Sequence, residues 1–267
     1  MIEDGNLTTL MPTGRKQTVL AMLALEANHV VTVDQLVDGV WGEYPPSTAR
    51  SQIYICVSEL RRMLGRVTDD SIIETRPPGY RVRLEPTQLD LYRFQENEAR
   101  AWSSFRSGEP ESAVHTMRGA LELWTGRALP GTNSDLVQAK ASRLNEVYLD
   151  AFETCMEWEL QLGSSRELIA DLTSAVSENP LRERFCGQLM TALHRSGRQA
   201  EALAAYRRTR AVLVEQLGIE PGYELRRLEQ AILSDHMDPG RARREPGPAH
   251  AVSARSHDSR NSLIPLL

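Results

Sequence analysis

Ser47, Arg50, Ser51, Tyr54, Ser58 and Arg61 recur at intervals that bring them onto one side of a helix. At about 100° per residue they fall within a sector of roughly 100°, counted from Arg50. Each carries a hydrogen-bond donor, and the sector holds little apolar bulk. A guanidinium fork matches the O6 and N7 acceptors of a guanine edge, and hydroxyls suit phosphates or mixed contacts. The chemistry on offer is therefore recognition of a nucleic acid by hydrogen bonding. Arg62 lies beside that face, and Arg76, Tyr80, Arg81 and Arg83 follow on the tip and stem of a short hairpin.

Bond-making chemistry has no matching constellation. The chain contains no GxxxxGK-Ser/Thr phosphate loop, no GxSxG elbow and no HExxH pair, which leaves nucleotide hydrolysis, acyl transfer and zinc catalysis without machinery. No catalytic residue, cofactor or metal is expected. Cys56, Cys155 and Cys186 lie far apart and read as small buried hydrophobes rather than as a disulfide or zinc framework. His29, His115 and His194 lack ligand spacing and read as structural or surface groups, while Trp41, Trp124 and Trp158 read as core anchors. Arg207, Arg208 and Arg210 share a helix with Glu201 and Glu215 and read as a solvated face. The net charge of −5 argues against a nucleic-acid partner only when taken over the whole chain. Between residues 50 and 83, seven arginines face four acids, a local balance of +3, and clustering on one face matters more than the total.

The elements that must position these groups are visible as periodicity. A first helix over 14–28 carries Lys16 and buries Val19, Leu20, Leu23, Ala24 and Ala27, with Thr13 as its cap and Asn28 at its end. Thr32-Val33-Asp34-Gln35 is a capping box that opens a second helix, in which Leu36, Val40 and Trp41 are the buried stripe and Gly42 the stop. Glu43-Tyr44-Pro45 turns the chain, and Pro46 or Ser47 opens the third helix. Its core stripe is Ala49, Ile53, Cys56, Val57, Leu60, Met63 and Leu64, and Gly65 closes it. A short loop leads to a strand over Ile72-Ile73-Glu74-Thr75. Arg76-Pro77-Pro78-Gly79-Tyr80 reads as a type II turn with Gly79 supplying the positive φ, and Arg81-Val82-Arg83-Leu84 is the return strand. Three helices and a basic hairpin make a winged helix-turn-helix, whose hairpin can track phosphates or enter a minor groove.

From Leu89 onward the pattern is helical throughout. Segments near 90–106, 109–124, 134–162, 165–178, 181–196, 198–217 and 221–234 are separated by Gly or Pro. Gly163 to Ala170 realigns with Gly197 to Ala204 at a shift of 34 residues, the tetratricopeptide period, and Gly108 to Ala113 echoes the same start. Such repeats stack helix pairs into a concave surface for proteins or small ligands. Pro239 to Leu267 is rich in Pro, Gly, Ser, Arg and His and reads as disordered. No stretch approaches the roughly 18 apolar residues of a membrane span, and the acidic start is unlike a signal peptide, so a cytoplasmic chain with no membrane partner is expected. The fold class is mainly α: a winged helix-turn-helix domain over 1–85, a tetratricopeptide-like all-α helical domain over 90–236, and a disordered tail over 239–267.

VTVDQLVDGVWGEYPPSTARSQIYICVSELRRMLG, the hairpin IIETRPPGYRV, and LDLYRF, ALELWTGRAL and NPLRERFCGQLMTALHRSGRQAEALAAYRRTRAVLVEQLGIEPGYELRRLEQAIL together resemble the Streptomyces antibiotic regulatory protein (SARP) family. The similarity covers roughly residues 14 to 235, and GRQAEALAAY and LGIEPGYELRRLEQAIL carry it most specifically. The resemblance implies an OmpR-type winged helix followed by a bacterial transcriptional activation domain. It further implies an activator that binds direct repeats in double-stranded promoter DNA, self-associates there, and recruits RNA polymerase holoenzyme to antibiotic or other secondary-metabolite gene clusters. Carried over residue by residue, Arg50, Ser51, Tyr54, Ser58 and Arg61 would face the major groove, and Lys16, Arg62, Arg76 and Arg81 would hold the backbone.

Two departures from the family pattern stand out. Related chains usually begin with a longer run of short strands beneath the helices, whereas here Asn6 to Leu10 alone could supply one, so a reduced or truncated sheet is expected. Thr18 stands behind Lys16-Gln17 where a basic residue is frequent, and Glu59 stands where a neutral or basic one is common. Larger relatives append an ATPase module, and no nucleotide is implied for this chain. A repressor using the same DNA-binding domain, and a helical-repeat adaptor whose winged domain binds protein, remain open on the residues alone.

Overall fold

The structure is a computed structural model that describes residues 12–65 and 72–234, together with the backbone of 2–4 and 7–9. The loop expected over 66–71 and the tail over 239–267 lie outside the described residues. Among the described residues no helix is long and apolar enough to cross a membrane. Contacts divide the chain into two compact units, with the division falling between Ala151 and Phe152.

In the first unit, β1 (Ile2–Asp4) and β2 (Leu7–Thr9) pair antiparallel with Glu3 opposite Thr8, so two strands form where one was expected. Helix α1 (Arg15–Leu25) starts from Gly14 without a side-chain cap, so Thr13 does not serve as one. It also stops three residues short of Asn28. Asn28 takes φ 67°, a left-handed conformation that Asn tolerates better than most residues. From there its amide donates to the Leu84 carbonyl at 2.9 Å and accepts from the Leu84 amide at 3.1 Å, tying the end of α1 to the hairpin.

β3 (Val31–Thr32) runs directly into α2 (Val33–Trp41). The capping box is formed: Thr32 Oγ1 accepts from the Gln35 amide at 3.1 Å, and Gln35 Oε1 accepts from the Thr32 amide at 2.8 Å. Val33, Leu36 and Val37 are the buried stripe, while Val40 and Trp41 are only half-buried. Helix α3 (Ala49–Leu64) begins after Thr48, later than the Pro46 or Ser47 start, because the Pro46 carbonyl first accepts the Ala49 amide in a turn. Its core stripe is as expected except that Met63 is half-buried.

β4 (Ile73–Arg76) and β5 (Gly79–Val82) are joined by Pro77-Pro78 alone, through a cis peptide. Gly79 is not the positive-φ residue of a type II turn; it lies in the strand. It must be glycine because an added Cβ would sit 1.9 Å from the Val31 carbonyl oxygen and 2.6 Å from Thr32 Cα. The antiparallel sheet has the order β3-β5-β4, with Tyr80 opposite Val31 on one side and Thr75 on the other.

Helices α4 (Asp90–Arg106) and α5 (Pro110–Leu121) and the first part of α6 (Asp135–Leu162) complete this unit. Phe94 is fully buried, edge-on to Trp124 at 5.6 Å, and Trp124 stacks on Tyr148 at 4.9 Å. Polar ties run back to α1: Gln17 donates to the Pro130 carbonyl, and Lys140 pairs with Glu26. The compact unit therefore extends past the winged helix to Ala151.

The second unit holds the end of α6 with α7 (Ile169–Glu178), α8 (Glu183–Arg195), α9 (Gln199–Leu217) and α10 (Tyr223–Ser234). The seven helical segments read from periodicity are present with shifted ends; α7 starts at Ile169, with turns over 165–168. The repeat has a physical meaning. Gly108, Gly163 and Gly197 take φ of 81°, 95° and 76°, a left-handed exit that glycine adopts without steric cost. Five residues after each, Ala113, Leu168 and Ala202 are at most 1% exposed, so the same turn delivers the same core position each time. Phe185, Met156 and Leu172 are fully buried nearby, each worth about 1.5–3 kcal/mol of apolar burial. Between α6, α8 and α10 lies a cavity of about 600 Å³ lined by Leu160, Arg184, Gln188, Arg195, Tyr223 and Leu225. Its walls are braced internally: Arg195 donates to the Leu160 carbonyl at 2.6 Å, and Glu183 accepts the Gly222 amide at 2.7 Å. All three cysteines are buried and outside any disulfide, and burial pushes the Cys56 and Cys186 thiols up.

Candidate nucleic-acid interface

With its apolar stripe packed inward, α3 turns Arg50, Ser51, Tyr54, Ser58 and Arg62 to solvent. Ser47 is exposed as well, but on the turn before the helix. Arg50 pairs with Asp34 of α2, and both side chains are more than 60% exposed. Exposed pairs of this kind contribute little stability, so the Arg50 guanidinium can exchange Asp34 for another acceptor at small cost. Lys16 bridges α1 to α3 through Glu59, with its Nζ 3.1 Å from Oε2. Glu59 thus offsets the charge of the cation expected to meet a phosphate.

Two of the residues singled out in the sequence have other places. Arg61 does not join the open face. Its Nε donates to the Ile73 carbonyl at 2.9 Å and its Nη2 to Thr75 Oγ1 at 2.8 Å, while the guanidinium lies 5.6 Å from the Tyr80 ring centre. It lies three residues from the end of α3, beside the hairpin, and latches the two together. Tyr80 is 8% exposed and packs beneath that guanidinium rather than presenting its ring outward. Strand alternation explains the difference. Ile73, Tyr80 and Val82 fall on the inner side of the hairpin, and Glu74, Arg76 and Arg81 on the outer.

On that outer side Glu74 is directly opposite Arg81 and holds both cations, with Arg81 Nη2 at 2.6 Å and Arg76 Nε at 3.0 Å. Hydrogen bonds from Arg81 and then Arg76 hold its carboxyl below the usual carboxylate range. The tie is complete above that range and is lost as pH falls through the depressed value. Burial pushes the Tyr80 hydroxyl up.

Three neighbours of the site escape the sector count. Ile55 on α3 is 58% exposed and Tyr44, in the turn after α2, is 86% exposed. Arg15 lies 5.3 Å from the Trp41 ring centre and donates to Gln52. A sector drawn for donors passes over Ile55, which falls just beyond its edge, and a tie between two helices has no local signal. Among the described residues no group of acids, histidines and cysteines could hold a metal ion.

Comparison with known proteins places both parts of the chain. Residues 8–82 match the family of the C-terminal domain of transcriptional regulatory proteins, and residues 89–233 match the bacterial transcriptional activator domain. Regulatory protein DnrI of Streptomyces peucetius is 33% identical over 262 residues, which cover 95% of this chain and 96% of DnrI. Regulatory protein AfsR of Streptomyces griseus is 37% identical over 88% of this chain, which spans about a quarter (24%) of AfsR. The structure of Mycobacterium tuberculosis EmbR, solved in complex with a low-affinity phosphopeptide, superposes with a TM-score of 0.75 at 36% identity. That match covers 84% of this chain and 60% of the EmbR chain. AfsR and DnrI are named as regulatory proteins and EmbR as a transcriptional regulatory protein. With a winged helix followed by the helical activator domain, the chain belongs to the Streptomyces antibiotic regulatory protein family of transcriptional regulators.

Proposed function

We propose that this regulator is a sequence-specific DNA-binding activator of an antibiotic or other secondary-metabolite gene cluster, working in the cytoplasm without cofactor or catalysis. Residues 1–85 read direct repeats in promoter DNA, copies sit side by side in tandem through heterologous contacts, and residues 90–236 recruit RNA polymerase holoenzyme. The observation that carries this reading is α3: one side is core, and the other is an open face of Arg50, Ser51, Tyr54, Ser58 and Arg62 beside a hairpin bearing Arg76 and Arg81. A protein-binding adaptor has no use for that arginine and hydroxyl face. Arg50, Ser51, Tyr54 and Ser58 meet base edges and adjacent phosphates; Lys16, Ser47, Arg62, Arg76 and Arg81 meet the backbone. Arg61 and Tyr80 position the hairpin.

The test is a gel shift across salt with promoter DNA from the gene's own neighbourhood, followed by in vitro transcription with and without the protein. Binding no tighter than to random DNA, with no salt slope, removes the reading; lowered transcription makes the protein a repressor. Arg50→Ala is expected to relax preference at one base pair by ~1–3 kcal/mol while leaving other positions intact. Equal loss on specific and random duplexes would show that Arg50 reads no base. Glu74→Gln is expected to do the reverse. Releasing Arg76 and Arg81 raises affinity for random duplex several-fold and steepens the log–log salt slope by up to about 1, one phosphate contact's worth. Filter binding on random DNA from low to moderate salt reads this directly, and weaker binding would mean that Glu74 is needed to aim the arginines.

A further inference from the structure

We infer that Ile55 is a specificity-determining residue that reads the C5 methyl group of a thymine in the major groove, an inference that rests on the DNA-binding reading above. Ile55 is 58% exposed at the middle of a helix whose other aliphatic residues from Ile53 to Leu64 are buried. A single exposed aliphatic is ordinary on a protein surface, so its surroundings must decide. One turn away on one flank are Gln52 and Glu59, and both are drawn toward α1: Gln52 accepts from Arg15, and Glu59 lies 3.1 Å from Lys16 Nζ. One turn away on the other flank are Ser51 and Ser58, both exposed and too short to cover a neighbour. Ile55 is left as an uncovered aliphatic group amid donors.

The rim around it favours one kind of occupant. Arg62 on α3 is an exposed cation, and Arg50 is another, held only by an exposed pair with Asp34 that it can exchange for a phosphate or base; the two suit a polyanion and oppose an apolar protein surface. Within a major groove, thymine offers an apolar group, its C5 methyl, among hydrogen-bonding edges. A β-branched side chain on a helix is held to essentially one χ1 rotamer, so Ile55 presents its γ-methyl group at a fixed place. The donors beside it orient the helix, and the aliphatic contact discriminates thymine from cytosine at the facing base.

The experiment uses the full chain. Duplexes are selected from a random library, and each thymine of the enriched sequence is replaced singly by deoxyuridine, which keeps the pairing edge and removes the methyl group alone. One position is expected to cost about three- to tenfold in affinity, the scale of one buried methyl group. Ile55→Ala is expected to bind the thymine and uracil duplexes equally, with unchanged melting temperature and salt slope, and Ile55→Val to keep part of the difference. An enriched sequence with no uracil-sensitive position overturns this inference alone, as does a uracil effect of the same size in Ile55→Ala. A library that enriches nothing overturns the DNA-binding reading and this one with it. If Ile55→Ala instead abolishes self-association in sedimentation while DNA preference is unchanged, the face is a protein contact and the inference is wrong.

Discussion

Gly79→Ala is expected to lower the stability of the N-terminal unit by about 3 kcal/mol or more, and its melting temperature by about 6–12 °C. The added methyl carbon would lie 1.9 Å from the Val31 carbonyl oxygen and 2.7 Å from its carbon. Both atoms are backbone, so no side chain can swing aside. Relief requires β3 to part from β5, where Thr32 lies opposite Gly79 and Val31 opposite Tyr80. That parting has consequences at both ends. Thr32 is also the N-cap of α2, so its displacement loosens the capping box, while Tyr80 loses the packing that holds it under Arg61. The hairpin is then no longer latched to α3, and affinity for specific and random duplexes is expected to fall together. Gly119→Ala is the control. It lies within α5 with no atom within 4 Å of an added Cβ, so the same substitution should be neutral or stabilise by up to ~1 kcal/mol. Calorimetry of the two variants decides the matter; equal melting temperatures would show that the sheet accommodates the methyl group.

Gly79 also marks where sequence reading stops. The Pro-Pro-Gly run signals a turn, and a turn is there, but the reason for the glycine is a strand nearly fifty residues earlier in the chain. β3 has two residues and exists through its pairing with β5, so no period in Val31–Thr32 could reveal it. Local signals fared differently. The capping box at Thr32 and Gln35 and the inward stripe of α3 act within a few helical turns and are formed, with Met63 alone of the stripe half-buried, and the recurring glycines at 108, 163 and 197 share a left-handed turn. The same limit separates Arg50 from Arg61. Helical angle puts both on one face, but Arg61 lies beside the hairpin and finds acceptors at Ile73 and Thr75, twelve and fourteen residues away. Which donors stay open is a tertiary property, and the exposed apolar Ile55 is invisible to a search for donors.

Glu153→Ala is expected to cost roughly 2–4 kcal/mol in the C-terminal unit, because it removes a buried carboxylate that pairs with a partly buried arginine. Glu153 is 5% exposed in the middle of α6, with Oε2 3.0 Å from Arg182 Nε and Oε1 2.8 Å from Arg184 Nε. The two arginines are unequal. The Arg184 side chain is 72% exposed, so its pairing is screened and adds little. The Arg182 side chain is 22% exposed and its guanidinium lies 5.4 Å from the Phe185 ring centre, so its pairing with the carboxylate is the better shielded of the two and loses more when the carboxylate is gone. The Glu153 carbonyl accepts from Gln188 at 2.8 Å, so this one residue anchors α6 to α8 through backbone as well as side chain. Glu153→Gln preserves an acceptor for Arg182 and should cost less than alanine; equal losses would assign the effect to packing rather than charge. The groups proposed to meet DNA all lie before Arg83, so promoter affinity of Glu153→Ala measured below its melting transition should stay within about twofold. Stimulation of transcription should fall in step with the unfolded fraction of the helical unit. A variant that melts as expected yet stimulates as well as the parent would separate activation from the fold of α6 to α10, and would move the polymerase-recruiting surface out of the second unit.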